Sequence, residues 1–285
     1  MKFFSPAKIN LFLNVLGKRA DGYHELWTLF ERISLGDDIT LKTAGKSVRL
    51  RTSSPNVPKG PENLVCKAAE LIRNECGVKK GVAITLKKRI PVAAGLGGGS
   101  SNAATVLMGL DRLWKLRLPK KKLLKLAVKL GSDVPFFVLE TPLALGSGRG
   151  ERLKPLPGFK RKLWHVLIKP SFEISTKQAY SRLLGQRLTP KKSDVRMTVR
   201  SIETGDPEPL RGLLTNSLEL VLNKRLKTIS GIKKKLVSEG AFASLMSGSG
   251  SAVFGLFSSE KIAKRAAKNL EKKNGSWRVF VVSTY

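Results

Sequence analysis

"PVAAGLGGGSSNAA", residues 91–104, is the stretch on which the fold turns. Before it, "GVAITLKKRIP" (81–91) has the apolar pattern of a strand. After it, Ala103, Val106, Leu107, Leu110, Leu113 and Trp114 recur at helical spacing, with Ser100 or Ser101 as the natural N-cap. A strand, a glycine turn and a helix N-terminus in succession make an anion site, because first-turn N–H groups and the helix dipole both favour negative charge. Glycine lets the backbone reach a phosphate without intervening side chains. Two familiar phosphate patterns fail here. GxxxxGK[ST] begun at Gly95 reaches Ser100 and then Ser101, with no lysine, and GxGxxG begun at Gly95 or Gly97 ends on Ser100 or Asn102. A plain glycine linker is the alternative, disfavoured by the serines and amphipathic helix that follow at once. The pattern therefore predicts phosphate binding but leaves a missing cation to be found elsewhere.

Composition narrows the class. The chain has 285 residues, 41% of them hydrophobic, enough for one large or two medium domains. No apolar run approaches the length of a membrane span, and "MKFFSPAKIN" lacks a secretory core, so a soluble cytoplasmic protein is expected. Cys66 and Cys76 sit ten apart on one expected helix, which fits neither a disulfide nor a metal site. His24 and His165 are the only histidines, which argues against zinc. The formal charge is +32, which attracts polyanions, yet the basic residues are scattered over wet helix faces with no interleaved aromatics. No specific nucleic-acid partner is expected.

Along the chain, residues 5–16 alternate with period two, placing Ala7, Ile9, Leu11, Leu13 and Val15 on one face and Lys8, Asn10, Phe12 and Asn14 on the other. Strands are expected at "LWTLFERISL", "DDITLK" and "SVRLRTS", and helices at 62–76, at "PKKKLLKLAVKL" and after "GSD". A turn-rich seam at 146–159 suggests a boundary, with domains 1–155 and 156–285. Beyond it come a strand, a helix at "STKQAYSRLL", a polar mobile stretch at about 185–198, and helices at "PLRGLLTNSLELVLN" and "RLKTISGIKKKLVSEG". The end reads strand, "SGSGS" turn, strand, helix, strand. The order predicts an α+β protein of two domains, each with a largely antiparallel sheet.

Single residues remain open at this level. Lys8 and Asn10 could lie on a solvated strand face, or Lys8 could be the cation that the glycine loop lacks. Asp133 could be a helix N-cap, with Val134 and Pro135 starting the helix, and its carboxylate could still face a cleft.

Three segments together, "SPAKINLFLNVLGKRADGYHEL", "PVAAGLGGGSSNAA" and "SLMSGSGSAVFGLF", resemble in order and spacing the three motifs of the GHMP kinases. The resemblance implies an N-terminal domain similar to ribosomal protein S5 domain 2, a ferredoxin-like C-terminal domain, and an active site in the cleft between them. "ADGYHEL", "GLGGGSSNAA" and "GSDVPFF" are most similar to the branch that acts on diphosphocytidyl-methylerythritol. That implies an enzyme transferring the γ-phosphate of ATP, with Mg²⁺, to the 2-hydroxyl of this small-molecule substrate, as a monomer or homodimer. By position, Pro91, Val92, Ala93, Ala94, Gly95, Leu96, Gly97, Gly98, Gly99, Ser100 and Ser101 would hold the ATP phosphates, with Lys88 and Asn63 also contacting the nucleotide. Lys8 and Asp133 fall at the catalytic pair, and Ser101 is a candidate metal contact. Tyr23 and His24 fall at the cytosine site, with Asn10 and Phe30 beside them and Tyr180 and Thr176 from the second domain. Homoserine and mevalonate carry no base to stack on those rings. An RNA-binding protein would leave the glycine loop and Asp133 without a role.

Overall fold

Strand β1 (Lys2–Lys18) opens the fold, and the period-two pattern is there, but both of its faces are covered. Lys8, Asn10 and Phe12 are as buried as Ala7, Ile9 and Leu11, so the solvated-face alternative for Lys8 and Asn10 is excluded. Strand β2 (His24–Thr43) is continuous where the sequence suggested two strands. Gly36, between those two segments, lies inside the strand, with the Phe4 ring packed where a Cβ would stand.

Further along come β3 (Val48–Thr52), α1 (Leu64–Glu75), β4 (Val82–Lys87), α2 (Gly98–Leu113), α3 (Lys120–Leu130), α4 (Val134–Leu139), β5 (Leu143–Gly148) and β6 (Arg152–Leu156). They are followed by β7 (Trp164–Lys169), α5 (Thr176–Ser181), α6 (Val195–Thr204), α7 (Leu226–Ser238), β8 (Ala243–Met246), β9 (Val253–Phe257), α8 (Glu260–Lys273) and β10 (Arg278–Ser283). The computed structural model describes residues 1–183, 195–204, 206, 208–212 and 214–285. Of the stretch 185–198, residues 185–194 lie outside the described residues, and the remainder begins α6.

Two compact units result, neither contiguous in sequence. The first comprises Met1–Ala7, Leu35–Val92 and Gly97–Thr141; the second comprises Lys8–Ser34, Ala93–Leu96 and Pro142–Tyr285. In the first unit β3 runs parallel to β4, and β4 pairs antiparallel with residues 38–43 of β2. Helix α1 packs on α2, and α4 packs on both α2 and α3. The apolar stripes read from the sequence are the buried ones: Val65, Ala68 and Ile72 on α1, and Ala103, Val106, Leu107 and Leu110 on α2.

In the second unit the strands are ordered β10-β7-β9-β8, every pairing antiparallel. Helix α7 packs on β8 and β9, and α8 on β7 and β10. Residues 26–31 of β2 pair with β5, and β5 with β6. The turn-rich seam at 146–159 is thus largely a hairpin, and the boundary expected at 155/156 lies within β6. His165 is buried in this unit with its Nε2 3.0 Å from Glu31 Oε1.

The helix expected over "PLRGLLTNSLELVLN" is replaced by short 3-10 turns, Glu208–Leu210 and Ser217–Val221. Asn216 is the cause within it: its side-chain oxygen accepts from Leu218 N at 2.9 Å, a local bond that competes with helix propagation and starts a new turn. Among the described residues no helix is long and apolar enough to cross a membrane.

Candidate active site

The glycine loop divides between the two units, residues 93–96 with the second and 97–101 with the first.

In the second unit the loop is fastened to β1 and to the turn between β8 and β9. Lys8 N donates to Leu96 O at 3.0 Å, and Ala252 N donates to Ala94 O at 3.2 Å. Gly95 adopts φ +75° and presses on the Ser247 carbonyl so closely that no Cβ would fit. Its own carbonyl accepts from Ser247 Oγ at 3.1 Å.

The Lys8 side chain is 4% exposed, and its ammonium donates to Asn10 Oδ1 at 2.7 Å. Asn10 Nδ2 in turn donates to Thr28 Oγ1 at 2.8 Å, and Thr28 Oγ1 donates to Phe12 O at 2.6 Å. The carboxamide orientation is therefore fixed from both ends. Phe30 lies under the ammonium, Lys8 Nζ being 5.3 Å from the ring centroid. Lys8 is thus a buried cation that meets the Asn10 oxygen and the Phe30 ring face, with its main chain bonded to the loop.

The aromatic residues form a second cluster in the same unit. The rings of His24 and Tyr180 lie 5.4 Å apart, tilted by 36°. Tyr23 is 54% exposed, with the Arg149 guanidinium 4.6 Å from its centroid. The loop presenting Tyr23 is braced: Arg19 Nη1 donates to Glu25 Oε2 at 2.7 Å, and Glu25 Oε1 accepts from Gly148 N at 3.0 Å. The Arg19 hydrogen bonds hold the Asp21 and Glu25 carboxyls below the usual range. Partial burial first, and the Lys18 charge second, push His24 below its ordinary value, which favours a neutral ring able both to donate and to accept. Thr176 Oγ1 and Ser249 Oγ share a 2.8 Å hydrogen bond, joining α5 to the β8–β9 turn.

In the first unit, α2 begins at Gly98 with Gly97 as N-cap at φ +65°, not at Ser100 or Ser101. The left-handed turn that glycine permits lets the helix start three residues early. No side chain caps it, so its first-turn N–H groups point outward to whatever acceptor arrives. Ser101 is instead buried, its hydroxyl 2.8 Å from Ser5 Oγ.

A cation stands beside this helix start: a Cβ on Gly98 would lie 3.3 Å from Lys88 Nζ. Lys88 is paired with the fully buried Asp37 carboxylate and donates to Asn102 Oδ1 at 3.2 Å. Asp37 also accepts from Arg89 N at 2.6 Å, Ile90 N at 2.9 Å and Asn102 Nδ2 at 2.9 Å. Uncapped N–H groups beside a fixed ammonium form a donor set suited to nucleotide phosphates. Asn63 caps α1, its Oδ1 accepting from Val65 N at 2.9 Å. Asp133 precedes α4 at the N-cap position without a side-chain capping bond, with Pro135 in the first turn.

Sequence reasoning missed Asp37, Asn102, Thr28, Arg149 and Asn216. Asp37 opens the strand expected at "DDITLK" with nothing local to mark it, and its partners lie far off in the chain. Among the described residues no three His, Cys, Asp or Glu side chains converge on a metal position.

The comparisons with known proteins agree with one another. The family models described as GHMP kinases N terminal domain and GHMP kinases C terminal match residues 63–141 and 198–276. The 4-diphosphocytidyl-2-C-methyl-D-erythritol kinase of Syntrophotalea carbinolica is 44% identical, over 98% of this chain and 97% of its own. The enzyme of the same name from a Geobacter species is 43% identical, over 100% and 99%. A crystal structure of a 4-(cytidine 5'-diphospho)-2C-methyl-D-erythritol kinase superposes with a TM-score of 0.85 at 36% identity, covering 99% of this chain and 98% of that one. Homoserine kinase from Cytophaga hutchinsonii shares the fold, with a TM-score of 0.80 at 20% identity, covering 100% and 95%.

Proposed function

The chain belongs to the GHMP kinases, within the family of 4-diphosphocytidyl-2-C-methyl-D-erythritol kinases, and from that premise we propose its reaction and the residues that perform it. The γ-phosphoryl group of ATP passes to the 2-hydroxyl of 4-diphosphocytidyl-2-C-methyl-D-erythritol, giving the 2-phosphate and ADP. This is a step of non-mevalonate isoprenoid precursor synthesis, in the cytoplasm. The observation that carries the proposal is Lys8: a buried ammonium whose direction is set by Asn10 and whose main chain is bonded to the glycine loop.

Each residue follows from chemistry. The acceptor oxygen forms a bond to Pγ as the bond from Pγ to the bridging oxygen of ADP breaks, and the hydroxyl proton goes to Asp133. The chain's part is positioning and charge neutralisation. The N–H groups of residues 92–101, on the loop that Pro91 opens, hold the phosphates with Lys88; Asn63 contacts the nucleotide. Lys8 neutralises the transferring group. Mg²⁺ comes bound to the ATP phosphates, whose oxygens suit it, and supplies further charge neutralisation there. Tyr23 and Tyr180 give planes for the cytosine, and His24 hydrogen-bonds its edge, with Asn10, Phe30 and Thr176 alongside. We place the division between the family's two domains at 155/156, at the end of β6, and expect a monomer or homodimer.

The test is coupled ADP release with ATP, Mg²⁺ and the cytidine substrate, with mevalonate and homoserine alongside and Asp133→Ala in parallel. Turnover of the cytidine substrate alone, abolished in the variant, is expected. Turnover of homoserine or mevalonate instead would keep the family and overturn the substrate.

A further inference from the structure

Asn216 lies outside every motif considered so far, yet it makes three hydrogen bonds with one buried carboxamide. Its Oδ1 accepts from Leu218 N at 2.9 Å. Its Nδ2 donates to Met246 O and to Gly248 O, both at 2.8 Å. Only a planar amide offers this combination of one acceptor and two diverging donors at the same reach. Aspartate would keep the acceptor and lose both donors; serine would keep a capping oxygen but not the reach.

Of the two carbonyls it holds, Met246 O ends β8 and Gly248 O lies in the turn that follows, "SGSGS" at 247–251. Their positions matter because that turn meets the catalytic lysine's support. Ser247 Oγ accepts from Asn10 N at 3.3 Å and donates to Gly95 O at 3.1 Å. A Cβ on Gly248 would lie 3.0 Å from Gly95 O and 3.2 Å from Asn10 Oδ1, so the turn is packed directly on the atom that receives the Lys8 ammonium. Gly248 sits at φ +54° and Gly250 at φ +84°, a backbone that does not fix itself and takes its shape from external bonds.

We propose that Asn216 is a positioning residue for phosphoryl transfer: it straps the 247–251 turn in the shape that aligns Asn10 and, through it, Lys8. The inference rests on the kinase reading for its activity readout but makes a structural claim of its own. The strap acts when charge develops on the transferring group, so its loss lowers kcat more than it raises the KM of the acceptor.

The experiment compares Asn216→Asp and Asn216→Ser with Ser217→Ala in the full chain. Ser217→Ala removes the neighbouring bond from Val15 N to Ser217 Oγ and leaves the strap intact, so it reports simple weakening of this region. Thermal unfolding, kcat and KM for each substrate, and amide hydrogen exchange at Gly250, whose N–H donates to Ser247 O, are measured. Both Asn216 variants are expected to fold, to lose about 10- to 100-fold in kcat with acceptor KM within about 3-fold, and to exchange faster at Gly250. Ser217→Ala keeps wild-type kcat. Wild-type kcat in folded Asn216 variants, or losses no larger than those of Ser217→Ala at equal stability, overturns the proposal. Should the wild type turn over none of the substrates, the kinase reading fails separately. Gly250 exchange then decides the strap alone: unchanged exchange in both Asn216 variants overturns it.

Discussion

The Lys8 ammonium donates to Asn10 Oδ1 at 2.7 Å, two residues away on the same face of one strand. This pairing explains how a cation can stay 96% covered without drifting toward water: its hydrogen-bond partner is itself pinned by Thr28. Asn10→Ala is therefore expected to lower kcat by about 100-fold, the scale of losing one preorganised charge-stabilising contact, while the protein stays folded. Lys8→Met should cost more. Steady-state kinetics with circular dichroism check both; an Asn10→Ala enzyme within a factor of three of wild type would contradict the arrangement.

Gly95→Ala should destabilise the protein through two additive causes. A residue with a Cβ at φ +75° costs about 1 kcal/mol, and the Ser247 carbonyl must move to admit the methyl group. At about 2–4 °C per kcal/mol for a chain of this size, the melting temperature should fall by more than about 4 °C. Gly99→Ala is the control, because its Cβ would meet only Leu64 Cδ1 at an ordinary 3.6 Å inside a helix. Differential scanning calorimetry separates the two.

His24 should titrate below 6.5, the ordinary value, because its charged form is disfavoured by partial burial and by Lys18. A lowered folded value means that below it both folded and unfolded chains hold the proton. Between it and 6.5 only the unfolded chain does, so stability rises with pH across that window and is flat above. The measurement is a 2D NMR titration of the imidazole; a midpoint above 6.5 would show that an acidic neighbour dominates instead. The acceptor KM should rise as pH falls through the same midpoint.

Asp37→Asn should be among the most damaging substitutions in the first unit. It leaves the Lys88 ammonium paired with a neutral group at a site where two main-chain N–H groups also converge. Losing one member of a buried pair costs about 3–5 kcal/mol. The double variant Asp37→Asn/Lys88→Met should cost less than the sum of the two single changes. Urea unfolding of the four proteins gives the coupling directly.

Arg149→Ala should raise the KM of the cytidine substrate by about 2- to 5-fold, the worth of an exposed cation–π contact, and leave the KM of ATP unchanged. The guanidinium lies over one face of Tyr23, and in the proposed site the other face takes the cytosine. An equal effect on both substrates would place Arg149 with the nucleotide instead.

Much of this molecule was legible in its sequence for local reasons. The periodicities of α1, α2, α3 and α8 come from 3.6-residue geometry alone, and the strand–glycine–helix order at 81–114 needs no tertiary context. The family was legible too, because its three motifs are runs of neighbouring residues. Where the local rules gave a wrong boundary, a glycine stood at the place, once beside a distant ring and once in a left-handed turn. Phe4 packs on Gly36 inside β2, and a left-handed Gly97 started α2 ahead of its serines.

What tertiary structure alone decided is the state of the polar residues. Period two put Lys8 and Asn10 on one face but could not say whether that face met water. Its burial comes from covering segments such as the Ser247 turn, 237 residues from Asn10. Asp37 became the hub of a buried cluster for the same reason, with Lys88 51 positions away and Asn102 65. Charge and hydrogen bonding are short-ranged in space and blind to chain distance. The sequence therefore determined most of the elements and the family by itself, and only the folded chain decided which polar groups left water and which partners met them there.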